Sequence, residues 1–395
     1  MARFVQKFGG SSVATPERIA HVAERVAHQR QQGDQIALVI SAMAGTTNDL
    51  VNLAHQFSGE EGHPEYDVVV SAGEQVSAGL IALALAQHGV PAQSWLAWQL
   101  PLRTTAHFSC ADILAEPLPA LEQALQKGKV PVISGFQGVT SSGRLTTLGR
   151  GGSDLTAVAI AAAINAPCET YKDVEGIYTA DPNIVAEARC LSSVNYEDML
   201  AFAIYGSKVL QARAVVYARK HQVPIHVRSS FTSRSGTRVM VLPQERPALC
   251  GIACASPLVA IEIMCSPAAW PSCLTALKQT DFPFTLLPRT EQKALLLLNR
   301  IDLLEAQRFC EISSILTAWT VYPLSPPLAR LTVIGKEAAA QQETLRKQLQ
   351  KEGLSLQEAE LSFPHPSFLV PAREANRGLR CLHRACRLET IPKHY

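Results

Sequence analysis

Gly149-Arg150-Gly151-Gly152-Ser153-Asp154, followed by a small apolar run over 155–164, is the stretch on which the reading of this chain turns. Adjacent glycines let a backbone pass close to a ligand, and a helix opening at Ser153 points free N–H groups at an anion. Arg150 adds a planar fork suited to a carboxylate or a phosphate. Outward from this stretch, strand and helix signals alternate. Residues 3–8, 35–40, 130–134, 168–171 and 224–228 read as strands. Residues 16–32, 48–57, 71–87, 153–163, 196–203 and 207–220 read as helices. Such alternation predicts an α/β fold, a mostly parallel sheet sandwiched by helices. Ligands in such folds bind at the carboxyl ends of strands, where Gly9-Gly10 and Ser41 both fall.

With 395 residues the chain is expected to hold more than one domain. Hydrophobic residues make up 47% and charged residues 18%, a globular balance. The formal net charge of +2 gives no reason to expect a nucleic-acid partner. The arginines at 377, 380, 384 and 387 have helical spacing and read as one solvated face. The start turns polar at Gln6 and Lys7, too soon for a signal peptide, and the longest apolar run, 157–164, is short of the ~20 residues of a membrane span. A cytoplasmic protein without a membrane partner is expected. The 10 cysteines are scattered without a CxxC pair and read as buried reduced thiols.

Two further motifs flank the opening one: Lys7-Phe8-Gly9-Gly10-Ser11-Ser12 and Lys172-Asp173-Val174-Glu175-Gly176-Ile177-Tyr178-Thr179-Ala180-Asp181-Pro182. Lys7 precedes its glycines, so this is no Walker A loop; a cation beside bare backbone suits a transferring phosphate, although a strand end with a solvated lysine has the same appearance. Asp154 could be a carboxylate placed by a helix dipole. Ser71 with Glu74 fits a capping box. The three motifs together, in this order, resemble the signature of aspartate kinases within the amino-acid kinase family, over residues 3–231.

That resemblance implies an amino-acid kinase fold and roles for individual residues. Lys7 with Asp154 would form the catalytic pair, the carboxylate holding phosphate-binding lysines in place. Arg150 would clamp the α-carboxylate of an amino acid and Glu74 its ammonium group, with Ser41, Thr47, Gly151 and Ser153 completing the substrate site. Gly9, Gly10, Ser11, Asp173, Tyr178, Asp181 and Lys208, with Lys7, would bind ATP. Mg2+ would be held by the ATP phosphates, with no protein metal site. The implied reaction phosphorylates the side-chain carboxylate of L-aspartate. A kinase for glutamate or N-acetylglutamate, or a silent subunit paired with an active paralogue, are the alternatives. Asn183 stands where arginine is usual, and Gln211-Ala212 replaces the usual His-Pro after Val209-Leu210.

Residues 1–245 are therefore expected to form the kinase domain. The stretches 249–325 and 326–395 are expected to form two ferredoxin-like modules of the ACT type, through which the chain would make homodimers. Here the resemblance weakens. Cys265-Ser266-Pro267-Ala268-Ala269-Trp270 stands where an effector turn with an acid and a glycine is usual, and Gly335-Lys336-Glu337 is all that matches the second effector loop. Weak or absent feedback by lysine or threonine is the expectation.

Overall fold

The computed structural model describes residues 2–57, 61–100, 102–115, 118–242, 247–278, 284–299, 303–357, 360–361 and 365–390. They fall into two units: residues up to 177 with 192–196 and 209–242, and residues 178–191 and 197–208 with those from 247 onward. Of the proline-bounded stretch 243–247, between the expected kinase domain and the expected modules, only Pro247 is among the described residues.

In the first unit the strands are β1 (Arg3–Phe8), β2 (Gln35–Ile40), β3 (Ala92–Trp95), β4 (Arg103–Thr104), β5 (Ile113–Ala115) and β6 (Val130–Ser134). They continue with β7 (Gln137–Val139), β8 (Leu145–Thr147), β9 (Cys168–Lys172), β10 (Ser193–Val194), β11 (Ile225–Ser229) and β12 (Thr237–Val239). An 8-stranded sheet runs β10-β12-β11-β9-β1-β2-β6-β3, parallel except where β11 meets β12. Its central strands are apolar along their length because both faces are covered: Ile36 to Ile40 of β2 are all fully buried.

The helices of the first unit are α1 (Pro16–Gln31), α2 (Thr46–Gln56), α3 (Pro64–Val70), α4 (Ala72–Gln87), α5 (Leu118–Gln126), α6 (Gly152–Ala163) and α8 (Ala212–His221), while α7 (Tyr196–Tyr205), past its first residue, belongs to the second unit. Thr15 caps α1 by accepting from the Arg18 N–H, and Pro16 occupies its first turn. On one side of the sheet α1 and α4 bring Val22, Val26, Ile81 and Leu85 against Phe8, Leu38 and Val132. A 4-stranded sheet, β5-β4-β7-β8, gives no signal in the sequence, because its strands span only 2 or 3 residues each. The helix expected over 207–220 begins only at Ala212: Gly206 turns the chain at φ 126°, and Lys208 lies exposed before the helix starts.

Among the described residues one helical stretch, Pro64–Gln87, is long and apolar enough by length and composition to cross a membrane. It is the α3–α4 pair, and Gly73, Glu74, Ser77, Ala78, Ile81 and Leu85 of α4 are buried within the unit.

The second unit holds β13 (Gly251–Ala255), β14 (Val259–Met264), β15 (Thr285–Thr290), β16 (Lys293–Leu298), β17 (Ala318–Tyr322), β18 (Leu328–Ile334), β19 (Glu360–Leu361) and β20 (Ser367–Pro371). Its further helices are α9 (Trp270–Lys278), α10 (Leu303–Ile312), α11 (Gln342–Lys351) and α12 (Ala375–Ala385). Two antiparallel sheets form, β17-β14-β16-β15-β19 and β13-β18-β20. The strands interleave across position 325, since β13 pairs with β18 and β19 with β15. Segment 178–191 is built into this unit: Ala180 and Val185 pack with Leu331, Leu379 and Leu382, and the Ile252 N–H donates to the Thr179 carbonyl.

Leu38 sits fully buried in the middle of the large sheet. Leu38→Ala is expected to cost about 2–5 kcal/mol, read as a lowered urea midpoint for the first unit, whereas Val321→Ala, at a site 47% exposed, should stay within about 0.5 kcal/mol.

Candidate functional site

The carboxyl ends of β1, β2 and β9 and the start of α6 converge on one buried carboxylate. β1 and β9 are parallel neighbours in register, Phe8 beside Tyr171, so Lys7 and Lys172 leave adjacent strand ends. Asp154 lies in the first turn of α6, a place that favours an acid. Its Oδ1 lies 2.7 Å from the Lys7 Nζ, and the Lys172 Nζ donates to Oδ1 at 3.1 Å and Oδ2 at 2.8 Å. Lys7 and Asp154 are 4% and 3% exposed, so the cluster has been taken out of water.

Burial is the largest influence on both groups, and it disfavours the charged form of each. It would raise the Asp154 pKa, but the charges of Lys172 and Lys7 outweigh it and hold the carboxyl at about 2. It lowers the Lys7 ammonium to about 8; Asp154 resists this and the like charge of Lys172 adds to it. In the sequence Lys172 stands out only as the first residue of its motif. Its role follows from strand pairing: a residue at the end of β9 lies beside the end of β1.

Backbone surrounds the cluster. The Gly9 N–H donates to the Tyr171 carbonyl, and Gly10 comes so close to β2's exit that an added Cβ would lie 2.8 Å from the Ala42 carbonyl oxygen. The Ser11 hydroxyl donates to Asp173 at 3.2 Å. Ahead of α6, Gly149 and Gly151 have φ of 79° and 80°, values that favour glycine, and the Gly152 and Asp154 N–H groups close turns onto Gly149 and Gly151. Ser153 is buried and Arg150 exposed. Gln211, the departure from the family pattern, donates through Nε2 to the Arg150 carbonyl at 3.1 Å. A neutral amide thus braces this loop.

Glu74 does not form the capping box. Ser71 is helical, makes no side-chain cap bond and donates instead to the Val68 carbonyl, so α3 runs almost directly into α4. Glu74 is 4% exposed, and burial pushes its carboxyl up to about 7 against the backbone hydrogen bonding of Ala42 and Glu74 and the charge of Lys7. Its Oε2 has no hydrogen-bond partner among the described residues. Such an acceptor invites a donor from a ligand. Ser41 follows β2 directly and Thr47 lies in the first turn of α2, both half-buried, and the Ser41 N–H donates to the Phe8 carbonyl. Lys7, Gly9, Gly10, Ser11, Ser41, Thr47, Glu74, Arg150, Gly151, Ser153, Asp154 and Asp173 all belong to the first unit. Tyr178, Asp181 and Lys208 belong to the second, where Asp181 accepts from the Asn183 N–H and side chain.

A parallel α/β sheet whose strand ends carry paired lysines around a carboxylate, beside glycine-rich turns, defines a class of anion-handling α/β protein. The amino acid kinase family profile matches residues 2–229. An aspartokinase of Thermus thermophilus is 35% identical over 98% of this chain and 100% of its own length. An aspartate kinase of Stutzerimonas stutzeri is 48% identical over 64% of this chain, a match spanning 62% of that relative, less than two thirds of it. In three dimensions, Escherichia coli aspartokinase III in complex with aspartate and ADP superposes with a TM-score of 0.76 at 24% identity, over 96% of this chain and 99% of its own. The chain belongs to the amino acid kinase family, on its aspartokinase branch.

Lys7 is expected to titrate near pH 8 in the unliganded protein, read by the pH dependence of its amine's labelling. Lys172→Met removes a like charge, so the midpoint should move up toward 10.5. An unmoved or lower midpoint would contradict the coupling.

Proposed function

We propose that this chain transfers the γ-phosphoryl group of ATP to the side-chain carboxylate of L-aspartate, giving ADP and 4-phospho-L-aspartate, the first step of the aspartate-derived amino-acid pathway to lysine, threonine and methionine. The observation that carries the reading is the buried Lys7–Asp154–Lys172 cluster set among glycine turns, in a chain resembling an aspartokinase along nearly its whole length.

An aspartate side chain has a pKa near ~4, so it is already a nucleophile at neutral pH and needs no general base. The remaining tasks are alignment and charge cancellation. Lys7 neutralises charge on the transferring phosphoryl group; Gly9 and Gly10 let the nucleotide approach the backbone, and Ser11 offers it a hydroxyl. Asp154 keeps Lys7 charged and aimed. Asp173, Tyr178, Asp181 and Lys208 are assigned to ATP by their motif. Arg150 holds the α-carboxylate, supported by Gly151, Ser153, Ser41 and Thr47, and Glu74 takes the ammonium with its unpartnered Oε2. By the family resemblance Mg2+ would be carried on the ATP phosphates, where it would offset their negative charge. The C-terminal modules are assigned to homodimer formation with weak or absent feedback control, in the cytoplasm.

Trapping of the acyl phosphate with hydroxylamine, using L-aspartate, L-glutamate and N-acetylglutamate in parallel, tests the reaction. Aspartyl hydroxamate that depends on ATP and Mg2+ and vanishes in Lys7→Ala is expected. Product from another acid would reassign the substrate, and none from any would leave a silent subunit.

Glu74 must be ionised to attract an ammonium group, and burial holds its carboxyl near 7. Below that pH it is neutral, so kcat/KM for aspartate should fall along an acid limb centred near pH 7. Glu74→Gln should erase the limb and raise the aspartate KM about tenfold, near 1.4 kcal/mol. A limb that survives the substitution belongs to another group.

A further inference from the structure

Asp67 is fully buried in α3, outside every motif, and its carboxylate accepts from two residues far away in the chain. Its Oδ2 accepts the Ser109 N–H at 2.9 Å and the Thr147 N–H at 2.7 Å. Its Oδ1 accepts the Ser109 hydroxyl at 2.9 Å and the Thr147 hydroxyl at 3.0 Å. Burial pushes the carboxyl's pKa up, and these four donors oppose it. Ser109 itself is held at φ 66°, a conformation a serine rarely adopts unaided.

These bonds join the two walls of the proposed substrate site. Thr147 ends β8, and the chain runs from it through Leu148 and Gly149 to Arg150. Asp67 is also on the helical stretch that carries Glu74, two turns further on, and the Ser71 N–H donating to the Asp67 carbonyl at 3.2 Å keeps the helix continuous through the junction. Gln137 Nε2 donates to the Ser71 carbonyl at 2.7 Å and the Ser134 hydroxyl to the Glu74 carbonyl at 3.3 Å, seating that stretch on β6 and β7. From the other side Arg213 donates to the Leu148 carbonyl at 3.0 Å and to the Ala111 carbonyl at 2.7 Å. The loop bearing Arg150 is thus tied outward by Gln211 and Arg213 and inward, through Thr147, by Asp67.

We propose that Asp67 is a positioning residue that fixes the gap between Glu74 and Arg150, and through it the length of amino acid the site accepts. The proposal rests on the reading that Glu74 and Arg150 hold the ammonium and carboxylate of the substrate. A rigid carboxylate bridging two walls fixes their separation, and misplacement of a binding group by about 1 Å can cost up to about a hundredfold in rate.

Three variants test it. Asp67→Asn can keep the arrangement, because its carbonyl still accepts both N–H groups and its amide can donate to both hydroxyls. It is expected to stay within about threefold of the parent in the aspartate KM, a change under about 1 kcal/mol. Asp67→Ala loses the bridge; Asp67→Glu keeps a carboxylate but lengthens it by one methylene. Both should raise the aspartate KM about tenfold or more while leaving the ATP KM within about twofold, and Asp67→Glu should narrow the preference for aspartate over glutamate. If Asp67→Ala fails to fold, Asp67→Glu decides on the same criteria. Equal losses in both KM values, a loss in kcat alone, or a glutamate variant with native selectivity would overturn the proposal. Arg150→Ala and Glu74→Gln, assayed alongside, separate the two failures. If they raise the aspartate KM and Asp67→Glu does not, only the role of Asp67 falls; if they leave it unchanged, the substrate reading falls and the proposal with it.

Discussion

A single buried carboxylate facing two ammonium groups is the constraint on which the site depends. Asp154 can occupy its position only because α6 begins there, and α6 can begin there only because Gly149 and Gly151 take up backbone conformations that other residues resist. Lys7 and Lys172 reach it because β1 and β9 lie side by side in register. Removing the acid would leave two like charges in a desolvated space, a far more costly state than the loss of one ion pair. Fold and site are therefore not separable at this point: the same contacts that close the sheet's carboxyl edge assemble the charge cluster.

The cluster carries a net positive charge when both lysines are protonated. With Lys7 near 8, it is poised at the edge of losing a proton near neutral pH. A phosphate at the proposed site would supply a counter-charge and favour the ammonium form, so the ligand itself would complete the electrostatics of the cluster. Glu74 is the complementary case, an acid near 7 waiting for a cation. Each half of the site is unsatisfied in the sense that its proposed ligand would satisfy.

Much of the first unit is legible in its sequence because its signals are local. The buried strands are written as short continuous apolar runs and the helices as longer stretches between them, and glycines at 149 and 151 mark turns that other residues avoid. Lys172 and Asp67 are invisible to that kind of reading. Their meaning comes from partners at long sequence separation or on another element: Asp154 for the one, Ser109 and Thr147 for the other. Helical propensity alone starts α8 too early, because Gly206 breaks the chain where the pattern would continue it. In the second unit the strands interleave, so a division placed at 325 could not reveal that β13 pairs beyond it. The opening of α4 is instructive in another way. A valid capping pattern is present, but tertiary packing draws Glu74 inward instead.

Glu74 also has a cost that belongs to folding rather than to chemistry. A carboxyl whose pKa rises from 4.5 to about 7 on folding binds its proton more tightly in the native state than in the unfolded one. Its contribution to stability is intact below 4.5 and is lost as pH rises from there through about 7, on the order of 3 kcal/mol in all. A neutral side chain of the same shape would make a sturdier protein there. Such a carboxylate in an otherwise well-packed helix gives up stability at α4, a cost that the proposed ammonium contact would offset.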